Sequence, residues 1–474
     1  MAAINSLLVA LGGFTLGAGL ITGYVRREAT FLSEPLAAVV FGAIIGPAGL
    51  GLLSIARWGD QTVLLREIAR LTLALAVMGG ALRLRGDYFR RRWRTMAVVL
   101  GPVMLAMWVT SGLLVYGFLG VPFWVAMLAG AIVTPTDPVL AGAIVSGRTA
   151  KRNIPDRLRD VLTAESGSND GGAYPFVFLA LLVLTHPLRR ALSEWFLHTL
   201  LWQVGVAALV GVAVGAAVGR VQNWSHEKSY LERASLTTIT VALSLSVIGV
   251  VSLLGSDGLL ASFTAGLGFT IVVETENRTE EERVQETIRR LFSFPILVLF
   301  GMALPWSRWM ALGWRGIALV VAILGLRRLP SFVAIGTRLA PFERPADTLF
   351  AGWFGPIGIG AVFYATLAVG VTGIDRLWPI ASLVIAGSVL VHGATSTPLT
   401  QLYGRMTGYA DTERAKSKAR AAETGATADG SGGTSGSGGT SGSDGTPTSG
   451  DTSESTGGSE STDGSGSTDT SGSE

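Results

Sequence analysis

Thr134-Pro135-Thr136-Asp137-Pro138 stands inside a stretch, 122–146, that is otherwise apolar enough to cross a membrane. Proline cannot donate a backbone hydrogen bond, and it disfavours α geometry in the residue before it. A helix arriving at Thr134 therefore has to break. The polar groups it releases are tolerated at membrane depth only where they line a cavity or touch protein. A second polar stretch, Glu165-Ser166-Gly167-Ser168-Asn169-Asp170, lies in the next apolar run. A carboxylate at that depth is expensive, so it usually faces a cavity and carries a proton or a cation. Together the two stretches point to an ion pathway.

The rest of the chain fits a membrane setting. Of 474 residues, 49% are apolar and 15% charged, against roughly a quarter charged in soluble domains; the mean hydropathy is +0.47. There is no cysteine, which excludes disulfides and thiolate metal sites, and the four histidines are far apart in sequence. Neither a metalloenzyme nor a cysteine nucleophile is suggested, and no cofactor is implied. Nine of the 34 acids and none of the 37 bases fall between Glu423 and Glu474, so the preceding chain carries about twelve positive charges rather than the overall +3. That terminal stretch of Ser, Gly, Thr, Asp and Glu cannot bury enough surface to offset its ordering entropy and reads as a disordered tail. Its acidity suits either a high-salt environment or a solubilising role. The expected division is a transmembrane domain over 1–403, a basic cytoplasmic segment over 404–422 and the tail over 423–474.

Apolar runs of spanning length, about twenty residues for a hydrocarbon core of roughly 30 Å, recur thirteen times. They lie near 5–23, 35–56, 65–84, 96–119, 122–146, 161–185, 197–219, 234–254, 257–274, 289–306, 315–338, 347–372 and 379–402. The third and sixth begin among charges. The first is long, Gly-rich and without a basic leader, unlike a cleavable signal. Basic residues in short loops stay cytoplasmic. Arg83, Arg85, Arg90, Arg91, Arg92 and Arg94 follow span three, and Arg148, Lys151, Arg152, Arg157 and Arg159 follow span five, whereas the alternate loops hold only Arg57, Arg189, Arg190, Arg308 and Arg376. This parity predicts an N-terminus outside and a C-terminus in the cytoplasm, and the basic stretch from Arg405 to Arg420 agrees.

Two spans are interrupted. Span five has Pro135 and Pro138 around Asp137; span twelve has Gly355-Pro356-Ile357-Gly358-Ile359-Gly360. In secondary transporters, Gly/Pro-interrupted spans at matching places in two inverted repeats mark the binding site. With span seven as a linker, six spans precede it and six follow, and five and twelve become equivalent. The predicted fold class is an all-α polytopic membrane protein of about thirteen transmembrane helices in two inverted six-helix repeats.

These residues resemble a known family. Thr136-Asp137-Pro138, Glu165-Ser166-Gly167-Ser168-Asn169-Asp170, Gly352-Trp353-Phe354-Gly355-Pro356 and His392-Gly393-Ala394-Thr395 look like the NhaP branch of the monovalent cation:proton antiporters, over about residues 5–403. The resemblance implies helices five and twelve unwound and crossing near the ion site, a homodimer in the plasma membrane, and exchange of Na+, or of Li+ or K+, for H+. It implies no enzyme activity and no nucleic-acid partner.

By the same resemblance Asp170 alternately holds the proton and the monovalent cation. The plainer alternative is an acid that caps span six. Asn169 next to Asp170 is associated with electroneutral exchange, and its expected part is to orient the unwound chains by hydrogen bonding. Ser166, one turn before Asp170, can face the same ion or bond to its own helix. The main chain near Thr136 offers another oxygen. Asp137 is expected to balance the positive ends of half-helices, and Glu165 to pair with a buried arginine of span eleven, Arg328 being favoured over Arg327. One departure bears on the cation: relatives commonly carry an acid in span three, and here none lies between Glu67 and Asp87. Sodium is the default, with lithium and potassium open.

Other classes fit less well. An intramembrane aspartyl protease could use Asp137 and Asp170 as a dyad, but its Gly-x-Gly-Asp and Tyr-Asp signatures are missing. A channel would need a repeated filter motif, and none is present. The glycines at 355, 358 and 360 stand inside an apolar span rather than after a soluble strand, which excludes a phosphate loop. The acidic 274–286 loop reads as a solvated cytoplasmic segment.

Overall fold

The computed structural model describes residues 5–6, 8–17, 20, 33–228, 235–273 and 291–415. The chain divides into Met1–Lys418 and Ala419–Glu474; the second unit, with the acidic tail, lies outside the described residues, as does the 274–286 loop. All regular structure among the described residues is helical. Apart from the short helices Tyr88–Arg91 and Gly147–Asn153, in chain order the helices are α1 (Leu8–Gly17), α2 (Glu34–Ile45), α3 (Gln61–Arg83), α4 (Trp93–Leu119), α5 (Phe123–Ile132), α6 (Pro138–Val145), α7 (Asp156–Gly172) and α8 (Tyr174–Thr185). They continue as α9 (Leu188–Ser225), α10 (Ser235–Leu253), α11 (Gly258–Val272), α12 (Leu291–Met302), α13 (Trp306–Leu326), α14 (Leu329–Ile335), α15 (Pro345–Trp353), α16 (Ile359–Thr372) and α17 (Leu377–Met406). Among the described residues, four helices are long and apolar enough to cross a membrane by length and composition: α4, α9, the stretch Trp306–Arg338 and α17.

Several boundaries differ from those expected. The second apolar run extends to residue 56, but α2 stops at Ile45, where Gly46-Pro47 removes a donor and begins a turn. Residues 48–56 are apolar without being helical, apart from one short turn at Ile55–Arg57. The seventh run is part of the much longer α9, which passes through a π-helical stretch at Trp195–Val204. A similar stretch, Val99–Val103, lies in α4, where Pro102 breaks the normal ladder. Helix α13 bends at Gly313, whose φ of 56° and ψ of −147° suit glycine alone. The bend separates a tryptophan-bearing first turn from the apolar length that follows.

Helix contacts rely on small residues, as expected where lipid is as apolar as the side chains. Gly211, Gly215 and Gly219 recur every fourth residue of α9 and face α11. A Cβ on Gly211 would lie 2.1 Å from Thr264 Oγ1, and one on Gly268 2.3 Å from the Val212 carbonyl oxygen. Helix α3 buries Leu65, Ala69, Leu73, Val77 and Ala81 along one stripe at 1% exposure or less. It packs on α7, α11 and α16. One of these partners, α7, carries the second polar stretch quoted above.

Candidate functional site

Two chain breaks meet in the protein interior. Helix α5 ends at Ile132 and α6 resumes at Pro138; α15 ends at Trp353 and α16 resumes at Ile359. The Asp137 N–H donates to the Pro356 carbonyl at 2.8 Å, joining one break to the other. Asp137 Oδ1 accepts from the N–H groups of Val139 at 2.7 Å and Leu140 at 3.0 Å. Its Oδ2 accepts from the Ile359 N–H. One carboxylate therefore caps two helices, α6 and α16, at their positive ends. Gly358 makes this possible, because a Cβ there would lie 2.4 Å from Asp137 Oδ2.

The opposite ends converge on Arg327. Its guanidinium donates to the carbonyls of Val133 and Thr134, both at 2.7 Å, and to that of Gly355. These oxygens follow the C-terminal turns of α5 and α15, where unpaired carbonyls carry partial negative charge. The crossing is thus balanced by an acid at two N-termini and a base at two C-termini. Further support comes from α17: Ser388 Oγ accepts from the Ile357 N–H at 2.7 Å, and His392 Nε2 lies 3.0 Å from the Trp353 carbonyl.

Helix α7 supplies the remaining polar groups, and all of its residues from Val161 to Gly171 are buried. Gly167 and Gly171 let α11 approach, the former against Phe263 and the latter against Leu260. Glu165 makes a two-point ion pair with Arg328, whose Nη2 is 2.6 Å from Oε2; the side chains are 4% and 2% exposed. Arg328 also donates to the Ala351 carbonyl at 2.8 Å and lies over the Phe332 ring. Of the two adjacent arginines, 328 meets the glutamate and 327 meets the helix ends. Asn169 ties α7 to the first break: its amide donates to Thr136 Oγ1 at 2.6 Å and its oxygen accepts the Thr136 N–H at 3.1 Å.

Asp170 is different from every other acid at the crossing. It is fully buried, and neither carboxylate oxygen has a hydrogen-bond partner among the described residues. Gly360 presses against it; a Cβ there would lie 2.2 Å from Asp170 Oδ1. The Tyr364 hydroxyl, one turn further along α16, donates to the Asp170 carbonyl oxygen. Ser166 Oγ is 3.4 Å from the Thr163 carbonyl of its own helix. A bare carboxylate in a low-dielectric interior needs a compensating charge. A proton or a small cation would supply it.

Arg327, Gly358, Gly360 and Tyr364 gain their parts only from the fold. For the glycines a signal was present in the sequence, since an apolar span with three glycines in six residues, 355–360, invites a close neighbour. For Tyr364 there was none.

Comparison with known proteins places the chain among transporters. The family described as sodium/hydrogen exchanger, transmembrane, matches residues 14–402. An Na(+)/H(+) antiporter of Saccharomyces cerevisiae is 33% identical, covering 82% of this chain and 43% of its own length. One of Schizosaccharomyces pombe is 30% identical over 82% of this chain and 89% of its own. A K(+)/H(+) antiporter NhaP of Alkalimonas amylolytica is 24% identical over 85% of this chain. The chain spans about half the length of the first three curated relatives it matches, 43%, 54% and 49%. In fold it is similar to the sodium proton antiporter MjNhaP1 of Methanocaldococcus jannaschii, with a TM-score of 0.64 at 17% identity, over 85% of this chain and 99% of that one.

Proposed function

The chain belongs to the sodium/hydrogen exchanger family, and on that premise we propose that it exchanges a monovalent cation, Na+ first, for H+ across the plasma membrane. The observation that carries this reading is Asp170, a buried carboxylate whose two oxygens have no protein partner among the described residues. Its only stable states are loaded ones, with a proton or with a cation. If only loaded states reorient, each passage of a cation in one direction is matched by a proton in the other. One carboxylate taking one or the other gives electroneutral exchange.

In this reading Asp170 is the ion-binding carboxylate. Asn169 and Thr136 hold the broken chain beside it, and the main chain near Thr136 and the Ser166 hydroxyl supply further oxygen ligands. Asp137 and Arg327 balance the half-helix ends, and Glu165 with Arg328 fixes α7 to α15. The two interrupted regions, α5–α6 and α15–α16, act as the crossing elements of two inverted six-helix repeats within about thirteen spans. The N-terminus lies outside and the C-terminus inside, and the working unit is a homodimer. The names of relatives support sodium. A K+/H+ reading is favoured by the NhaP relatives named for potassium and by the absence of an acid in α3 between Glu67 and Asp87.

Purified protein in proteoliposomes with an imposed pH gradient tests the function. Addition of Na+ should dissipate the gradient, Li+ and K+ defining the selectivity, and clamping the membrane potential should leave the rate unchanged. If none of the three cations dissipates the gradient, antiport is wrong.

A further inference from the structure

The start of α4 carries a charged surface that the crossing does not use. Arg85, Arg90, Arg91, Arg92 and Arg94 lie between α3 and the first turn of α4, and all but the half-buried Arg92 are exposed. Arg91 pairs with Asp87 at 2.5 Å. Arg94 lies over the Trp93 ring, 5.5 Å from its centroid. Arg85, Arg90, Arg92 and Arg94 make no ion pair among the described residues. The other arginine-rich stretch, 148–159, is different, because there Arg157 is engaged with Asp347 and Glu343, and Arg159 with Asp156.

The backbone beneath these arginines is fixed. A Cβ on Gly86 would lie 2.4 Å from the Thr270 carbonyl oxygen of α11. Tyr88 is buried, and Phe89 meets both Tyr88 and Phe263 edge-on. Basic groups held in place in this way lose less freedom when they bind. Depth is set by α4, which is long and apolar enough to cross a membrane and begins at Trp93, so the cluster stands at the level of lipid headgroups. Trp93 is 60% exposed, and indole favours that level. Further along, α4 exposes Leu105, Val109, Leu113 and Tyr116, an apolar stripe along which acyl chains can lie. Retention of basic loops on one side of a membrane accounts for the sign of the charge, but not for the rigid platform or the exposed indole.

We propose that the start of α4 is a binding site for an anionic phospholipid, with the headgroup phosphate held by Arg90, Arg92 and Arg94 and Trp93 seated at the headgroup edge. Guanidinium groups suit phosphate because they donate two parallel hydrogen bonds to it. A zwitterionic lipid would bring its own cation against the exposed arginines, whereas an anionic one brings none or balances it. The acids nearby do not neutralise the cluster: Asp87 is taken by Arg91, and Asp160 lies beneath, within electrostatic reach of the buried Tyr88. The site is independent of ion exchange at Asp170.

The test follows thermal unfolding of the purified protein in dodecylmaltoside micelles titrated with phosphatidylserine or phosphatidylcholine. Phosphatidylserine should raise the unfolding temperature well above the value in phosphatidylcholine. In the triple variant Arg90→Gln, Arg92→Gln, Arg94→Gln, the phosphatidylserine fraction giving half of that rise should increase on the order of a hundredfold, since each basic group near a membrane surface contributes about fivefold. An equal response to the two lipids, or an unchanged titration in the triple variant, overturns the proposal. An equal rise with inorganic phosphate overturns it too, because the site would then take a free anion. A second measurement covers a triple variant that fails to fold. Phosphatidylserine brominated in its acyl chains should quench tryptophan fluorescence more than brominated phosphatidylcholine does, and Trp93→Phe should remove most of that difference. A difference that survives undiminished in Trp93→Phe places the lipid elsewhere and overturns the proposal.

Discussion

Asp137 and Asp170 are the same residue type in one buried region, and their surroundings assign them different work. Asp137 accepts three backbone N–H bonds and is spent on structure; Asp170 accepts none among the described residues, and in the proposed function that carboxylate takes the ion. Gly360 is the measure of that second environment. A Cβ 2.2 Å from Asp170 Oδ1 cannot be accommodated without moving the carboxylate, so Gly360→Ala should lower exchange more than tenfold in protein that still elutes as folded from a sizing column; normal exchange would show the carboxylate free to shift. Glu165 makes the opposite case. Glu165→Gln leaves Arg328 with a buried, uncompensated charge, which costs on the order of 3 kcal/mol. A clearly lowered unfolding temperature and poor expression are expected, with cation selectivity unchanged in whatever folds. The two carboxylates and the asparagine were legible in the sequence because acids in an apolar run are rare. Which arginine meets Glu165 was favoured as Arg328 but not decided, since neighbours at a helix break point in unrelated directions and only the way the break between α13 and α14 sits against Glu165 and the end of α15 separates them.

At the scale of elements, the interruptions are the organising feature. Pro135 and Pro138 foretell the first break from local chemistry alone, and Gly355-Pro356 the second. Their meeting was not foretold by any local rule, because the Asp137 to Ile359 bond joins residues 222 apart. Asp137→Asn probes that union. An amide can accept through one atom only, so it caps α6 or α16 but not both, leaving a buried donor unmet at about 1–3 kcal/mol. The unfolding temperature should fall, and an unaltered one would mean that the half-helices do not depend on their shared cap. Hydropathy misled at α2, where residues 48–56 are apolar enough to read as membrane span yet follow a turn fixed by Gly46-Pro47. The glycine repeat of α9 was present in the sequence as Gly211, Gly215 and Gly219, but only the facing α11 gives it meaning.

For the whole molecule, composition and the recurrence of apolar runs pointed to a membrane transporter, and family membership agrees. The likeness to MjNhaP1 extends over 85% of the chain, so it is the fold as a whole, and not one segment, that is similar. In the proposed function a single carboxylate, Asp170, takes proton and cation in turn. Paired proteoliposome assays on the unaltered protein and on Asp170→Asn, each with an imposed pH gradient and a pulse of Na+, test it most directly. Rapid dissipation is expected with the unaltered protein and none with the folded variant; exchange at a comparable rate in Asp170→Asn would rule out Asp170 as the exchanging carboxylate.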